Sequence, residues 1–162
     1  MTTAWNDDQL YSSKKPDWAT PRALFDALNE EFNFALDAAA SDHNAKCDIY
    51  ISSNSLNYSW AEASNYRPVW LNPPYGKEIG QWVEKAYRES LKGCRVVVLT
   101  FVRSDTRWWH DWAMKATEIR LIKGRIKFEG ATASAPAPSC LLIFDEFRRA
   151  PRFTTATDLP RS

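Results

Sequence analysis

The sequence predicts an α/β domain with a mainly parallel β-sheet and an antiparallel C-terminal edge. Segments with helical periodicity alternate with short apolar segments, the pattern of strands joined by crossover helices. Residues 96–99 are a continuous apolar run, Val-Val-Val-Leu, as expected for a strand buried on both faces of a parallel sheet. Near the C-terminus, strand-like segments follow one another around a turn at Lys123-Gly124, which predicts the antiparallel edge.

The first predicted helix begins at Thr20-Pro21, an N-cap residue followed by a proline at the first helical position. Residues 34–36 then predict a short strand that ends at Asp37, and residues 48–51 predict a second strand. Asp37 is therefore expected at the carboxyl end of a strand, where α/β sheets collect ligands.

The middle of the chain predicts two further strand-helix units. Residues 69–71 are an apolar strand, and a helix follows over residues 79–90 and is closed by Gly93. Residues 95–101 predict the next strand, and residues 106–116 predict the next helix.

Two adjacent tryptophans, Trp108 and Trp109, lie in this last helix. Neighbouring residues on a helix cannot share one face. One indole is therefore expected in the core and the other outside it.

The remaining predicted strands are residues 119–122, 125–128 and 139–144, and the loop 129–138 is the segment best suited to a small recognition element. The predicted domain spans residues 18–148. The polar ends, residues 1–17 and 149–162, are expected to be flexible segments.

Composition limits the classes of function. A chain of 162 residues has room for one domain, and a formal charge of +1 argues against polyanion binding by bulk electrostatics. Any nucleic-acid surface must therefore be a local patch of basic residues.

The cysteines and histidines predict neither disulfides nor a metal site. Cys47, Cys94 and Cys140 are odd in number and far apart, and His43 and His110 lack partners at zinc-ligand spacing. No apolar segment approaches membrane-spanning length. These features predict a cytoplasmic protein with reduced thiols and no membrane association; the residues give no indication of an oligomeric state.

The tetrapeptide Asn72-Pro73-Pro74-Tyr75 directly follows the predicted strand 69–71. The two prolines remove backbone donors, so nearby carbonyls face outward with no ladder to join. Asn72 adds a side-chain carbonyl and Tyr75 adds an aromatic surface. The local interpretation is a rigid turn after a strand; the chemical interpretation is a site for a planar amine.

The tetrapeptide also resembles the (Asp/Asn)-Pro-Pro-(Tyr/Phe/Trp) signature of amino methyltransferases that use S-adenosylmethionine. Further segments extend the resemblance over about residues 18–144. Together they resemble the phage-type (Dam-like) DNA N-6-adenine methyltransferase family. The segments are Trp18-Ala-Thr20-Pro21, Phe34 to Ala40, Asn44-Ala-Lys46-Cys47, Leu71 to Gly76, Trp108-Trp109-His110 and Gly124 to Phe128.

This resemblance implies a Rossmann-like methyltransferase fold with S-adenosylmethionine as the methyl donor and N6 of a flipped adenine in DNA as the acceptor. Asn72 and Pro73 would orient the amine and Tyr75 would stack on the base, and Pro74 belongs to the same catalytic tetrapeptide. If the protein is encoded by a phage, it would act in the host cytoplasm. The implied donor-pocket residues are Trp18, Thr20, Pro21, Asp37, Ala38 and Ala39.

Basic residues near the predicted fifth and sixth strands form the one plausible phosphate patch. They are Arg103, Arg107, Arg120, Lys123, Arg125 and Lys127. An ordinary solvated surface is the alternative for this patch.

Two other functions remain open from the residues alone. The same tetrapeptide would suit methylation of an RNA base or of a protein glutamine. Alternatively, the fold could serve as a nucleic-acid-binding module without turnover, since the segment after Asp37 lacks the glycines that many methyltransferases carry there.

Overall fold

A computed structural model describes residues 18–147 and 150–162 of the protein. The α-helices are α1 (Arg22–Phe32), α2 (Trp60–Ala63), α3 (Ile79–Ser90) and α4 (Arg107–Asp111), with short 3₁₀ helices at Ser55–Asn57 and Ala113–Lys115. The strands are β1 (Leu36–Asp37), β2 (Ile49–Tyr50), β3 (Val69–Leu71), β4 (Val96–Phe101), β5 (Glu118–Ile122), β6 (Ser139–Phe144) and β7 (Arg152–Ala156).

Within these residues the strands form one seven-stranded sheet in the order β2-β1-β3-β4-β6-β5-β7. Neighbouring strands run parallel except where β6 pairs with β4 and with β5. The predicted mainly parallel α/β sheet is confirmed. The predicted antiparallel pairing of the C-terminal strands is present, but its predicted position at the edge is wrong, because the antiparallel strand β6 lies inside the sheet and the edge strand β7 runs parallel to β5. All residues of β6 are buried, as expected for an inner strand of a sheet that is covered on both faces.

The predicted strand at residues 125–128 is absent from the sheet. Ile126 and Phe128 are buried while Arg125 and Lys127 are exposed, so the segment has the alternation of a strand. Two facts keep it out of the sheet. β5 already has β6 and β7 as neighbours, and the Ile126 carbonyl accepts the Ala135 N–H at 2.6 Å instead of a bond from a strand. The alternation of apolar and polar residues therefore predicts which side chains are buried, but not that the segment pairs with a strand.

The expectation of a flexible C-terminal tail over residues 149–162 is wrong for residues 152–156. They form β7, which pairs in parallel with β5 along its whole length. An edge strand bonds to one neighbour only and exposes much of its surface. The sequence of β7 is therefore largely polar and lacks the apolar run that predicts an inner strand. The predicted flexible segment 1–17 lies outside the described residues.

Two apolar layers cover the sheet. β4 shows the division clearly: Val96 and Val98 point into the layer beneath α3 and α4, while Val97, Leu99 and Phe101 point into the layer beneath α1. Every residue of β4 is buried. The expected strand buried on both faces is confirmed.

The start of α1 differs from the prediction. α1 begins at Arg22 with Pro21 at the N-cap position, so Thr20 is not the cap. The Arg22 N–H instead donates to Glu129 Oε1 at 2.9 Å, which places a carboxylate at the positive end of the helix. The Thr20 hydroxyl is thereby left for another partner.

The predicted helix 106–116 is present but interrupted. α4 ends at Asp111, Trp112 leaves helical geometry with φ −126°, and a 3₁₀ turn follows. The Trp112 ring packs against Tyr87 of α3 with ring centroids 5.9 Å apart. The predicted end of α3 is confirmed, since Gly93 has a φ of +101° in the turn that closes the helix.

A buried carboxylate joins α3 to α2. Glu89 is 1% exposed and contacts Lys85 Nζ at 2.7 Å and Lys92 Nζ at 2.8 Å, and it also accepts the Ala61 N–H at 2.9 Å. Burial by itself would raise the pKa of Glu89. The bonds from Lys85, Lys92 and Ala61 outweigh burial and lower the pKa below its ordinary 4.5.

Replacing Glu89 with Gln is expected to lower the free energy of unfolding at pH 7 by about 2 kcal/mol, because it removes a charge that two lysines contact. The stabilisation from Glu89 is complete above pH 4.5 and is lost as the pH falls through the lowered pKa. The difference between wild type and variant should therefore shrink in acid. Urea unfolding measured at pH 7 and in acid checks this.

Glu84→Gln is the matched control on the same helix, because Glu84 contacts Arg88 in an exposed pair. It should change stability by less than about 0.5 kcal/mol. Equal losses for Glu84→Gln and Glu89→Gln would contradict the assignment of a special role to Glu89.

Candidate active site

The carboxyl ends of β1, β3, β4 and β5 meet at one edge of the sheet, because these strands run in the same direction. In the register, Asp37 lies beside Trp70, and Asn72 follows two residues later. Both side chains line one pocket, so the prediction that Asp37 and Asn72 share this edge is confirmed. The tetrapeptide that begins at Asn72 is thus the turn leaving β3 at the ligand-collecting edge.

The orientation of the Asn72 amide is set by two hydrogen bonds. Its Nδ2 donates to the Trp18 carbonyl at 3.0 Å and to Thr20 Oγ1 at 3.1 Å. A carbonyl can only accept, so the nitrogen must be on that side. An aspartate at this position would set an oxygen against the Trp18 carbonyl, so this contact favours asparagine over aspartate.

The other end of the amide is exceptional. Asn72 Oδ1 is buried and has no hydrogen-bond partner among the described residues. Buried acceptors are nearly always paired, and leaving one unpaired costs about 1–3 kcal/mol. An oriented, unpaired acceptor at the carboxyl edge is suited to receive an N–H from a ligand.

The pocket beside Asn72, called here the Asp37 pocket, has a volume of about 200 Å³. Its lining is mostly polar. The residues are Ala19, Thr20, Asp37, Ala39, Asn44, Lys46, Trp70 and Asn72.

Asp37 is buried on the wall of this pocket, and it shapes the loop around it. Its carboxylate accepts the Lys46 N–H at 3.0 Å and the Ala39 N–H at 3.3 Å. Burial raises the pKa of Asp37 above its ordinary 3.8, against the opposing effect of those two N–H groups. The carboxylate therefore folds residues 38–46 back over the end of β1.

A second pocket, the Tyr75 pocket, has a volume of about 310 Å³. It lies beyond the other end of the tetrapeptide and is mostly apolar. Its lining residues are Tyr75, Gly76, Ile79, Thr100, Phe101, Arg103 and Trp108.

Tyr75 is held by aromatic neighbours. Its ring stacks on Phe101 with centroids 4.5 Å apart and planes 24° apart, and it meets the edge of Phe128 at 6.1 Å. Its hydroxyl is buried without a partner among the described residues, and burial raises the pKa of Tyr75 well above its ordinary value. Tyr75 therefore presents a neutral aromatic surface.

The two adjacent tryptophans divide as predicted. Trp109 is 3% exposed within the core, whereas Trp108 is partly exposed and lines the Tyr75 pocket. Gly80 on α3 makes room for Trp108, because a Cβ added at Gly80 would lie 3.0 Å from the Cβ of Trp108.

The residues expected at the donor pocket occupy different places. Thr20, Asp37 and Ala39 line the Asp37 pocket. Trp18 reaches the site through its backbone carbonyl while its ring stacks on Phe128 at 5.7 Å, and Pro21 and Ala38 are buried without lining the pocket.

Four further residues line this pocket without a role predicted from the sequence: Ala19, Asn44, Lys46 and Trp70. Asn44 and Lys46 belonged to one of the segments that carried the family resemblance, and that was the available signal. Trp70 was visible only as an apolar strand residue.

The predicted phosphate patch divides as well. Arg107, Lys123, Arg125 and Lys127 are exposed, and Arg103 lines the Tyr75 pocket. Arg120 is engaged elsewhere: Glu31 chiefly, and also Glu118, pair with its guanidinium and raise its pKa. Arg120 is therefore a structural cation.

No cluster of three or more His, Cys, Asp or Glu side chains that could hold a metal ion occurs in the described part of the chain. Among the same residues, no helix is long and apolar enough to cross a membrane.

Comparison with known proteins identifies the family. The profile of the DNA N-6-adenine-methyltransferase (Dam) family matches residues 8–160. The chain belongs to this family. A DNA N-6-adenine-methyltransferase of Haemophilus phage HP1 is 33% identical over 125 residues, covering 72% of this chain and 70% of that protein. One from Escherichia phage T1 is 31% identical over 105 residues, covering 63% of this chain and 42% of that protein.

Family membership confirms the resemblance drawn from the sequence and makes the protein a DNA N-6-adenine methyltransferase. Both relatives are phage proteins. The α/β sheet with its mainly parallel strands is compatible with a methyltransferase fold.

The two tryptophans of this methyltransferase should respond differently to truncation. Trp109→Ala is expected to lower the free energy of unfolding by about 3–5 kcal/mol, because it removes a buried indole from the core. Trp108→Ala should cost about 1–2 kcal/mol, because its ring is already partly exposed. Thermal and urea unfolding of both variants measure the difference, and a reversed order would contradict the division described above.

Proposed function

We propose that the protein transfers a methyl group from S-adenosylmethionine to N6 of adenine in DNA, at the site formed by Asn72, Pro73, Pro74 and Tyr75. The observation that carries the proposal is the Asn72 amide, whose nitrogen is fixed by Trp18 and Thr20 and whose buried oxygen lacks a partner among the described residues. Membership in the family supports adenine N6 as the acceptor.

The chemistry requires that the acceptor nitrogen become a better nucleophile. The N6 lone pair is delocalised into the adenine ring, so the amine must be held in a geometry closer to tetrahedral. Asn72 Oδ1 accepts one N–H and the Pro73 carbonyl accepts the other, and both bonds strengthen as positive charge develops on nitrogen. Pro73 and Pro74 lack backbone N–H groups, so the turn brings no donor of its own to compete for these acceptors.

The Tyr75 pocket receives the flipped base in this proposal. Tyr75 stacks on the base, and its own packing against Phe101 holds the ring in place. Trp108 forms another aromatic part of the pocket wall. Stacking on aromatic rings offsets part of the energy lost when an adenine leaves the duplex.

The Asp37 pocket suits the methyl donor. S-adenosylmethionine, when bound, supplies a methyl group activated by a sulfonium centre. The donor also carries an ammonium group and ribose hydroxyls, and the carboxylate of Asp37 and the amide of Asn44 match such groups chemically. Asn72 lines the Asp37 pocket, and Tyr75, the last residue of the same tetrapeptide, lines the Tyr75 pocket. The tetrapeptide therefore connects the proposed donor site to the proposed acceptor site.

The DNA backbone is contacted by exposed cations at the same edge of the sheet. Lys123, Arg125 and Lys127 follow β5, and Arg107 opens α4 after β4. Arg107 contacts Asp111 at 3.2 Å with 94% of its side chain exposed, so this ion pair does little to restrain it.

Asn72→Ala is expected to reduce N6-methyladenine formation at least about 100-fold, because it removes an acceptor that acts on the developing charge. The assay incubates wild type and variant with labelled S-adenosylmethionine and unmethylated DNA. Asn57→Ala, at an exposed asparagine, is the matched control and should retain activity. Unchanged thermal unfolding separates loss of chemistry from loss of fold.

The same assay tests the other acceptors. Label in RNA or in protein glutamine, with none in DNA, would contradict adenine in DNA as the substrate. Absence of donor binding in a calorimetric titration of the wild type would favour a binding module without turnover.

Lys127→Ala is expected to reduce the salt dependence of DNA binding. Loss of one phosphate contact lowers the slope of log K against log salt by about 0.9. Arg67→Ala is the control, because Arg67 is exposed ahead of β3, at the opposite end of that strand from Asn72. Equal slopes for wild type and Lys127→Ala would remove Lys127 from the proposed contact surface.

A further inference from the structure

The segment Trp18–Thr20, called here the strap, reaches the tetrapeptide from a distant part of the chain. The ring of its first residue, Trp18, stacks on Phe128 with centroids 5.7 Å apart and planes 22° apart. Its middle residue, Ala19, forms an isolated antiparallel bridge with Glu129, whose N–H donates to the Ala19 carbonyl at 2.9 Å. The strap is thus held by the loop that follows β5.

Glu129 holds the strap in a second way. Its carboxylate accepts the Arg22 N–H at 2.9 Å just after the strap and contacts Lys46 Nζ at 3.3 Å. Lys46 in turn donates its backbone N–H to Asp37. The strap is therefore tied to the first turn of α1 and to the loop around the Asp37 pocket.

The first and last residues of the strap each supply one hydrogen-bond acceptor to the same side-chain amide. The Trp18 carbonyl and Thr20 Oγ1 each receive a bond from Asn72 Nδ2, across 54 and 52 residues of sequence. The amide nitrogen has two hydrogens, so two acceptors account for both. Two bonds fix the amide plane and its direction together, whereas one bond leaves rotation about it.

We infer that Thr20 is a positioning residue for Asn72: its hydroxyl holds the amide so that Oδ1 faces the acceptor amine. This inference rests on the proposed function and deepens it. Thr20 is 2% exposed, so water does not readily replace its hydroxyl. The resemblance to the family implied a role for Thr20 in the donor pocket; the contact with Asn72 gives it a role on the acceptor side.

The two roles predict different kinetics. A residue that holds the donor changes the KM for S-adenosylmethionine. A residue that orients Asn72 toward charge developing in the transition state changes kcat and leaves the KM values for donor and DNA nearly unchanged.

Three threonine variants of the full chain make the test. Thr20→Val keeps the shape of the side chain and removes its hydroxyl, and Thr20→Ser keeps the hydroxyl. Thr117→Val is the matched control, because Thr117 is 3% exposed and its hydroxyl donates to the Ile143 carbonyl at 2.8 Å ahead of β5, away from the site. The two valine variants each lose one buried hydroxyl, and the serine variant keeps it.

Thr20→Val should lower kcat about 10-fold, with both KM values within about twofold of wild type. Thr20→Ser should restore most of kcat, and Thr117→Val should leave kcat unchanged while lowering the unfolding temperature. An unchanged kcat in Thr20→Val would overturn the inference, as would a change confined to the KM for the donor. Failure of Thr20→Ser to restore kcat would also overturn it, since the hydroxyl would then not be the active group.

A measurement without substrate gives a second readout. The side-chain amide protons of Asn72, identified in NMR spectra by their loss in Asn72→Ala, should exchange slowly in wild type and Thr20→Ser. They should exchange faster in Thr20→Val and remain unchanged in Thr117→Val. Equal exchange in wild type and Thr20→Val would overturn the positioning role.

The results that would overturn the proposed function differ from those that would overturn the role of Thr20. A wild-type protein that does not methylate DNA would overturn the proposed function, and with it the catalytic consequence of the Thr20 contact. A wild type that methylates DNA while Thr20→Val matches its kcat would overturn the inference alone.

Discussion

The structure depends on β4 and its two neighbours being buried on both faces. β4 pairs in parallel with β3 on one side and antiparallel with β6 on the other, and both β4 and β6 are buried along their whole lengths. The hydroxyl side chains of these two strands, Thr100 and Ser139, both lie toward the carboxyl end of β4, because a polar group in the middle of such a strand has a large desolvation cost. The side chains proposed to contact a ligand, Asp37 at the end of β1 and Asn72 after β3, lie at this carboxyl edge.

That edge is assembled from parts distant in sequence. The strap carries the acceptors for the Asn72 amide, β1 carries Asp37, and Glu129 joins the strap to the loop around Asp37. Each contact is a modest hydrogen bond or ion pair, and together they orient one side chain. A site of this kind is preorganised by its supporting contacts, which is the main physical requirement for stabilising charge in a transition state.

The features that the sequence predicted correctly are those with a local physical cause. Val96 to Leu99 had to be a doubly buried strand because every side chain is apolar and β-branched or aliphatic. Gly93 ended α3 because a helix is commonly closed by a residue with positive φ. Trp108 and Trp109 had to face different directions because adjacent helical residues do. Asn72 and Asp37 followed as strand-end residues at one edge.

The sequence by itself thus determined the α/β class, the parallel core strands, the tetrapeptide at a strand end and the family resemblance, because each depends on periodicity or on a short motif. Only the tertiary structure decided that β6 lies inside the sheet, that residues 152–156 form its edge, and that Thr20 bonds Asn72 rather than capping α1. Those outcomes depend on which distant groups meet, and pairing across more than 50 residues leaves no periodic signal in the chain.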